Sequence, residues 1–348
     1  MRNLLFKGII ISALIIFISC KTTQTPATGE PTLYPFVKNN QVGFLDDNLN
    51  PQISAKFRFL NSRLWPYQFS EGLAAINFFG AIGYIDYNGE VAIKPQFDHA
   101  KPFQEGMALV QKNGHFGFID RTGNYVIKPQ FYEARSFHKG LAAVQKQKNG
   151  PWGYINTNGD YAIPLKFSAA KSFNHGLALV QTPAHKEWGY INKEGKTVIN
   201  PTYTKAKSFS EGLAPVQLKY KQWGYINTNG AILIASTFLE AQPFSEGKAV
   251  VAMPQDNNNL EKKKYGFINK RGTFVIEPRF DKAFSFHEGI ARIKLNNKFG
   301  FVDTKGNMIT EPIYDLAWDF QSGMAMVKLG NKYGYINKQG IFVMEPLS

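Results

Sequence analysis

The stretch Lys221–Gly230, KQWGYINTNG, contains the pattern that decides the fold. Its aromatic residues Trp223 and Tyr225 occupy alternate positions, which is typical of a β-strand with two different faces. Asn227 ends this run, and Gly230 follows three residues later. Because an Asn side chain can bond the backbone two residues on and Gly accepts a positive φ, this spacing predicts a tight hairpin turn.

Two further short patterns flank this stretch. Phe209–Val216, FSEGLAPV, contains a Glu-Gly step followed by an alternating run, and a third run ends at proline, as in Val198–Pro201, VINP. A proline cannot donate to a strand ladder, so it closes that strand. Each unit is therefore predicted to form a three-stranded β-meander, followed by a Phe-containing connector such as Ala206–Phe209.

The unit recurs along the chain at a nearly fixed period. Its central glycine is present in nine copies, at Gly43, Gly83, Gly117, Gly153, Gly189, Gly224, Gly266, Gly300 and Gly334. The successive spacings are 40, 34, 36, 36, 35, 42, 34 and 34 residues. The two long spacings reflect insertions around Phe57–Gln68 and Pro254–Lys264. Residues 33–348 are thus predicted to form nine tandem units of about 36 residues each.

These motifs resemble those of the WG-repeat family, also called KWG repeats, known from bacterial surface and secreted proteins. The matching patterns are F-S-E-G-L-A-x-V, K-x-W-G-Y-I-N/D-x-x-G and V-I-x-P, and the resemblance covers about residues 33–348. Units one and six depart most, since Asp46–Leu49 lacks the turn glycine and Ile234–Ser236 lacks the proline. The resemblance implies a β-repeat module without an established catalytic role.

The repeats predict an all-β fold in which neighbouring units stack. A lone meander cannot bury so many aromatic rings, and a glycine in the middle of every second strand indicates that another backbone or ring approaches there. We expect an open, twisted β-array or solenoid, because rings typically have about 4–8 blades and no strand exchange between the ends is evident. A β-propeller-like ring is the alternative.

The N-terminus predicts export and lipid attachment. Residues 1–19 combine Arg2 and Lys7 with a short apolar core, and they resemble a bacterial lipoprotein signal peptide that ends before Cys20. An uncleaved anchor is the alternative. Residues 20–32 are polar and rich in Pro and Thr, as expected of a flexible tether. We therefore expect a lipid on Cys20 and a place in a bacterial cell envelope, at the outer membrane or cell surface rather than the inner membrane.

Composition excludes several classes of protein. With 44% hydrophobic and 14% aromatic residues, disorder over most of the chain is not expected, and no apolar run beyond the first 20 residues is long enough for a membrane span. The single cysteine among 348 residues cannot form an internal disulfide or a thiolate zinc site. The six histidines lack the local spacing of a metal motif, so neither a metal nor a cofactor is expected.

The formal net charge of +14 favours anionic partners. Many lysines fall in the hairpin before the aromatic-Gly strand, and stacking would align them as a rim; the candidate rim residues are Lys112, Lys148, Lys221, Lys264, Lys298 and Lys332. Lysines at strand ends also keep β-repeats soluble and block edge pairing. The rim therefore has two interpretations, a solubility device or a site for an anionic glycan or lipid headgroup.

Three functions remain open. The first is a non-enzymatic, membrane-anchored scaffold that binds an envelope protein or an anionic glycan, with nucleic acid not expected as a partner. The second is a polysaccharide- or peptidoglycan-binding module that uses exposed aromatics and the lysine rim. The third is an enzyme with its site in the insertions Asn61–Gln68 or Pro254–Lys264, although the sequence contains no phosphate loop, nucleophile elbow or Cys/His pair. We expect the chain not to be an enzyme.

Overall fold

The computed structural model describes residues 31–58, 67–184, 186–217, 222–256 and 259–347. Throughout these ranges the chain consists of β-strands joined by turns, and they contain no helix. A membrane-spanning helix is accordingly not found among them. The predicted signal peptide, most of the tether and Cys20 lie outside the described residues.

The strands are short and follow each other in antiparallel hairpins. In chain order they are β1 Tyr34–Lys38, β2 Gln41–Leu45, β3 Pro51–Arg58, β4 Phe69–Ser70, β5 Leu73–Phe78, β6 Ala81–Ile85, β7 Val91–Phe97, β8 His99–Ala100, β9 Ala108–Lys112, β10 His115–Ile119, β11 Tyr125–Phe131, β12 Glu133–Ala134, β13 Ala142–Gln145, β14 Trp152–Ile155, β15 Tyr161–Phe167, β16 Ala169–Asn174, β17 Leu177–Gln181, β18 Trp188–Ile191, β19 Thr197–Tyr203, β20 Leu213–Gln217, β21 Trp223–Asn227, β22 Ile232–Phe238, β23 Glu240–Ala241, β24 Lys248–Asp256, β25 Asn259–Asn269, β26 Phe274–Phe280, β27 Lys282–His287, β28 Ile290–Leu295, β29 Lys298–Asp303, β30 Met308–Tyr314, β31 Leu316–Ala317, β32 Met324–Leu329, β33 Lys332–Asn337 and β34 Phe342–Leu347.

These strands form nine separate sheets, which we call blades 1 to 9 in chain order. In the described residues, blade 1 (β1–β3) and blade 6 (β20–β22) have three strands, and the other seven have four. The three predicted strands of each unit are all present. The additional strand comes from the Phe-containing connector, which pairs with the next strand instead of remaining a loop.

The hairpin turn after the aromatic-Gly strand has the predicted geometry. In blade 5, Gly195 N donates to Asn192 O at 3.0 Å, and Lys196 N donates to Asn192 Oδ1 at 2.9 Å. Gly195 has a φ of +73°, a left-handed conformation that glycine adopts without a Cβ clash. The same turn recurs in the other blades, so a local sequence signal fixes this corner of each unit.

The central glycine lies where one strand crosses very close to another. A Cβ on Gly153 in blade 4 would lie 2.6 Å from Ile163 O and 2.8 Å from the carbonyl carbon of Pro164, both on the outermost strand β15. Real Cβ atoms do not approach backbone atoms this closely. The predicted close approach at this glycine is therefore confirmed, and it explains why no other residue occupies the position.

The hydrophobic core lies between the blades. Between blades 5 and 6, Tyr190 packs against Phe209 with ring centroids 4.8 Å apart, and its hydroxyl donates to Lys207 O at 2.8 Å. Equivalent hydroxyl bonds run from Tyr84 to Lys101 O, from Tyr154 to Lys171 O and from Tyr225 to Gln242 O. Each aromatic pair buries large apolar area and the phenolic hydroxyl keeps a partner.

The last blade makes this contact with the first. Tyr335 of blade 9 donates to Pro35 O of blade 1 at 2.8 Å, and its ring meets Tyr34 with centroids 5.7 Å apart. Tyr34 in turn donates to Ser322 O at 2.9 Å. The nine blades thus close into a ring, a nine-bladed β-propeller.

The expected open array is wrong, and the alternative ring is confirmed. The missing strand exchange did not prevent closure, because the blade 9 to blade 1 interface uses side-chain packing and a tyrosine hydrogen bond, as the other interfaces do. In the described residues, blade 1 has no paired innermost strand. Tyr335 therefore donates to a carbonyl on β1, the strand of blade 1 that corresponds to the second strand of a four-stranded blade.

Candidate binding site on the channel wall

The predicted lysine rim follows the hairpins between the second and third strands of the blades. Lys264 Nζ lies 2.7 Å from Asp281 Oδ1, and Lys298 Nζ lies 2.6 Å from Asp315 Oδ1. Lys112 Nζ donates to Gln96 O. Lys264 and Lys298 are held beside the corner where their own blade leads to the next one, and Lys112 bonds the outermost strand of the preceding blade, so these cations contribute to the ring itself.

The other rim residues differ in their surroundings. Lys148 and Lys332 are exposed at or next to their hairpin turns. Lys221 lies outside the described residues. Because two of the rim's ammonium groups are paired with carboxylates, the rim presents less free positive charge than the sequence indicates.

A second set of cations lies on the residues nearest the axis of the ring. We call these residues the innermost segments; they are 67–72, 99–106, 133–140, 169–176, 205–212, 240–247, 282–289 and 316–323. We place them innermost because the fourth strands form the exposed outer edge and these segments lie at the opposite edge of each sheet. The innermost segments therefore form the wall of the central channel.

The innermost segments of blades 3 to 9 contain a β-bulge. In blade 5, Lys171 and Ser172 together oppose the single residue Leu179 on the next strand. In blade 8, Phe284 and Ser285 likewise oppose Arg292. A bulge re-aims side chains that regular pairing would direct to opposite faces, and such bulges are common beside binding sites.

Four successive blades carry a cation at the first bulge position. We call this set the inner cationic row, and it consists of Lys101, Arg135, Lys171 and Lys207 in blades 3 to 6. Arg135 Nε donates to Ala170 O at 3.0 Å, and its guanidinium carbon lies 5.5 Å from the centroid of Trp152. These contacts hold the guanidinium between its own blade and the next.

Lys207 is positioned in the same way at the end of the row. Its Nζ lies 5.4 Å from the centroid of Trp223 and donates to Gln242 Oε1 of blade 7 at 2.5 Å. Gln242 occupies the equivalent position in its own innermost segment. Side chains at this position therefore extend from one blade towards the next around the channel wall.

Lys171, Arg135 and Lys207 are destabilised in their charged forms. Burial lowers the pKa of Lys171, and the nearby Arg135 guanidinium lowers it further. Burial also lowers the pKa of Arg135 and of Lys207, although Glu240 opposes the shift at Lys207. An anion placed beside such groups relieves both desolvation and like-charge repulsion, so the row favours an anionic ligand.

A polar pocket of about 210 Å³ lies on the same wall. Its lining residues come from the innermost segments of blades 3 to 6, and they are Gln104, Ser136, His138, Ser172, Phe173, Asn174 and Ser208. The Gln104 side-chain nitrogen lies 3.0 Å from His138 Nδ1. Since an amide nitrogen can only donate, His138 Nδ1 accepts, and Nε2 carries the proton. The lining offers hydroxyl, amide and imidazole groups, and none of its residues is a carboxylate.

This site is not evident from the sequence as long as the connectors are interpreted as loops. The available signal was the pattern Ala-Lys/Arg-x-Phe, which occurs with a cation in four successive connectors. In later units the same position holds Gln242, Phe284 and Trp318. Aligning the connectors with each other would have shown the cationic stretch.

The Glu-Gly turns join neighbouring blades at one end of the channel wall. We call each of these junctions a turn clasp: a side chain of one turn accepts backbone N–H groups from the turn of the next blade. The described clasps are Glu71 with Gly106, Glu105 with Lys139 and Gly140, His175 with Glu211, Glu211 with Gly247, Glu246 with Glu288 and Gly289, and Glu288 with Ser322 and Gly323. These glutamates are structural acceptors of the ring, as turn residues should be.

Glu288 shows the electrostatic consequence most clearly. Gly323 N donates to its carboxylate at 2.8 Å, Ser322 N donates to the other oxygen, and Lys338 Nζ lies 3.1 Å away. Burial raises the pKa of Glu288, but these three partners outweigh burial, and the pKa lies below its usual value. The folded ring therefore favours the ionised form of the Glu288 carboxyl group.

Acid is expected to weaken this clasp. A carboxyl whose pKa is lowered by folding stabilises the fold above its unfolded pKa of about 4.3, and this stabilisation is lost as the pH falls through the lower folded value. At pH 7 we expect Glu288→Gln to lower the free energy of unfolding by about 1 kcal/mol. Urea unfolding of the natural chain and of the Glu288→Gln variant from pH 7 to pH 3 checks this prediction. A difference in their free energies of unfolding that is the same at every pH would contradict it.

No group of three or more His, Cys, Asp or Glu side chains among the described residues could hold a metal ion. The insertion Pro254–Lys264 lengthens the hairpin of β24 and β25. At its base, Glu240 accepts from Lys263 Nζ and from the Tyr265 hydroxyl, each at 2.8 Å. Of the other insertion, Asn61–Gln68, residues 61–66 lie outside the described residues.

Comparison with solved structures supports the fold. A crystal structure described as that of the eukaryotic initiation factor is 11% identical with a TM-score of 0.63, and the match covers 91% of this chain and 96% of that chain. Dihydro-heme d1 dehydrogenase NirN matches at 13% identity and a TM-score of 0.48, covering 91% and 73%. AztD from Citrobacter koseri matches at 12% identity and 0.43, covering 91% and 94%. It is the first of these likenesses that supports the fold, and at 11% identity it concerns the fold alone.

No curated protein sequence matches the chain. A family model described as WG containing repeat matches it seven times, at residues 82–114, 116–149, 152–182, 188–221, 223–253, 265–299 and 299–333. These matches cover more than half of the 348 residues, and together with the repeated aromatic-Gly crossing they establish that the chain belongs to the family of proteins built from WG-containing repeats.

Proposed function

We propose that this chain is a non-enzymatic binding scaffold that holds an anionic partner on the wall of its central channel. A propeller of β-repeats suggests a binding or scaffold role. The observation that carries the proposal is the inner cationic row, in which four successive blades carry a cation at the same position of the segments that also line a pocket without carboxylates. Ligand sites are commonly concave and carry a few convergent polar groups.

The proposal includes attachment to a bacterial cell envelope. Its support is the sequence of residues 1–32, with an apolar core that ends before Cys20 and a polar tether after it. A lipid on Cys20 would hold the ring at a membrane surface, at the outer membrane or the cell surface. There the scaffold would meet an envelope protein or an anionic glycan.

A polysaccharide-binding module is the second candidate, and two observations bear on it. Most aromatic rings of the repeats are buried between blades, as are Tyr154, Tyr190 and Tyr225. Among the described residues the exposed rings are Phe79, Tyr125, Tyr132 and Tyr161, and they are distributed over blades 2 to 4 and the connector between blades 3 and 4. A glycan would therefore find more polar than aromatic contacts, which favours the channel wall over exposed aromatics.

Retention on charged polymers tests the proposal. We expect the chain to bind polygalacturonate and not neutral dextran at low salt, and to lose this binding as salt screens the charges. Arg135→Gln with Lys171→Gln should weaken retention at least fivefold. Lys94→Gln with Lys128→Gln removes the same charge from exposed sites on outermost strands and should change retention less than twofold.

The same assay distinguishes the lysine rim from the inner cationic row. If Lys298→Gln with Lys332→Gln abolishes retention and the Arg135 and Lys171 variant keeps it, the lysine rim is the binding surface and the channel proposal is wrong. Equal losses in all three variants would indicate that binding follows net charge alone and would likewise overturn it. Thermal unfolding of each variant establishes that the ring is intact.

A further inference from the structure

Among the described innermost segments, the turns of blades 4 and 5 are neighbours that form no turn clasp. We infer that this open clasp is a binding site for the carboxylate of an acidic side chain from a protein partner. The site consists of the backbone N–H groups of His175 and Gly176 in blade 5 and the side chains of Lys139 and Lys193. It goes beyond the proposed function, because the inner cationic row takes no part in it.

The backbone donors of the open clasp have the conformation of an occupied one. Between blades 3 and 4, Lys139 N donates to Glu105 Oε1 at 2.6 Å and Gly140 N donates to Glu105 Oε2 at 2.9 Å. These two donor residues have φ values of +54° and +81°, and their equivalents in blade 5, His175 and Gly176, have +50° and +80°. The blade 5 turn therefore has the backbone that binds a carboxylate elsewhere in the ring.

The chain supplies no acceptor to these donors. At the equivalent place in blade 4 stands Lys139, whose ammonium group can only donate. In the part of the chain that the structure describes, no group accepts from the His175 N–H or the Gly176 N–H. The His175 side chain is engaged in the next clasp, where its Nε2 accepts from Glu211 N at 3.0 Å. Two donors that an occupied clasp would bind are therefore available to a ligand.

A lysine is placed beside these donors as it is in an occupied clasp. Between blades 6 and 7, Lys270 Nζ lies 3.0 Å from Glu211 Oε2 and donates to Glu211 O at 3.1 Å. Lys193 is the equivalent residue of blade 5, and its Nζ likewise donates to the main-chain oxygen of the preceding turn, Lys139 O, at 2.8 Å. The open clasp thus has one ammonium group placed for a carboxylate, and a second one replaces the residue that would supply it.

These groups favour an ionised carboxyl group over an amide or a neutral acid. In the clasp of Glu288, burial raises the pKa of the carboxyl group, but two backbone donors and Lys338 outweigh burial and lower it. The same kinds of donor are present in the open clasp, together with the additional charge of Lys139.

The carboxylate can come from outside the ring because the turn is exposed. His175, Gly176, Lys139 and Lys193 are all exposed at one end of the channel wall. Wherever a described clasp holds a carboxylate, that group belongs to a glutamate side chain that reaches over from a neighbouring segment. A glutamate on a partner's surface has the same reach and the same two oxygens, so a protein partner with an acidic side chain fits the site.

Amide NMR of the full chain tests the inference, with N-acetylglutamic acid α-amide as the probe. We expect the His175 and Gly176 amide signals to shift saturably with this probe and not with N-acetylglutamine amide, which has a similar shape without the charge. Lys193→Gln should weaken the binding by roughly threefold or more. Lys139→Glu should abolish it, because the chain then supplies the carboxylate itself and the clasp closes.

Closing the clasp also has an expected effect on stability. Lys139→Glu should raise the midpoint of thermal unfolding above that of the natural chain, since it adds hydrogen bonds between blades 4 and 5. The matched control Lys128→Glu makes the same change of charge on an exposed site of an outermost strand. It should leave the midpoint unchanged and keep the affinity for the probe within about twofold.

The inference is overturned if the two amide signals do not respond, if they respond equally to the glutamine probe, or if Lys139→Glu leaves the binding intact. Glucuronate that binds at least as tightly would assign the site to an acidic sugar and overturn the protein partner. Arg135→Gln with Lys171→Gln should leave the amide shifts unchanged, and their loss would assign the binding to the inner cationic row. Retention on polygalacturonate that does not depend on these two cations would overturn the proposed function and leave this inference standing.

Discussion

Gly153→Ala is expected to lower the free energy of unfolding by about 3 kcal/mol or more. The new methyl group would meet Ile163 O at 2.6 Å and the carbonyl carbon of Pro164 at 2.8 Å, and both are backbone atoms that cannot swing away as a side chain does. Relief requires β14 and β15 to separate. Separation would also disturb the neighbouring Tyr154, which is fully buried against Phe173 of the next blade.

The matched control is Gly140→Ala in the same blade. Gly140 has a φ of +81°, but a Cβ there meets nothing within 4 Å, so the substitution costs about 1–2 kcal/mol through backbone strain alone. Urea unfolding followed by circular dichroism measures both variants. We expect Gly153→Ala to unfold at the lower urea concentration, because its methyl group clashes at the strand crossing. Equal urea midpoints for the two variants would mean that the close crossing adds nothing to the cost of replacing a glycine.

Removing blade 9, residues 315–348, is expected to abolish the cooperative unfolding of the ring. In a ring, this deletion uncovers two apolar faces, one on blade 8 around Phe301 and one on blade 1 around Tyr34 and Phe36. Each large side chain returned to water costs about 1.5–3 kcal/mol, and several are exposed on each face. An open array would lose a single terminal interface and keep the rest of its structure.

Thermal unfolding and size-exclusion chromatography compare the shortened and full chains. The control is a circular permutant that begins at residue 67, joins residue 347 to residue 31 through a flexible linker and ends at residue 58. It keeps all nine interfaces, so we expect unfolding close to that of the natural order. A shortened chain as stable and monomeric as the full one would mean that the blade 9 to blade 1 contact contributes nothing.

The local features of the fold could be predicted because each depends on a few neighbouring residues. Asn192 and Gly195 specify their turn by side-chain bonding and positive φ. The recurrent proline marks the outermost strand, where its missing N–H is tolerated, but the prediction that it closes this strand is wrong, since β19 continues from Pro201 to Tyr203. Blade 6 shows the limit of that signal, since β22 has no proline and still occupies the same place in its sheet.

Closure could not be predicted from the same signals. It depends on the angle between stacked blades, which arises from packing such as that of Tyr190 on Phe209 and not from any single unit. The channel site was missed for a related reason. The segment Ala170–Asn174 is short and interrupted by a bulge, so it shows no alternating pattern. The sequence around Lys171, and around the equivalent Arg135 one unit earlier, therefore indicates a connecting loop.

The turn clasps also bear on how such rings arise and diversify. Every clasp uses a side chain from one copy and main-chain amides from its successor, and amides are supplied by any residue type. A copy gained or lost through unequal recombination therefore meets the same kind of junction on either side. The clasps tolerate such a change of copy number, whereas the closing contact between Tyr335 and Pro35 requires that the ring still close.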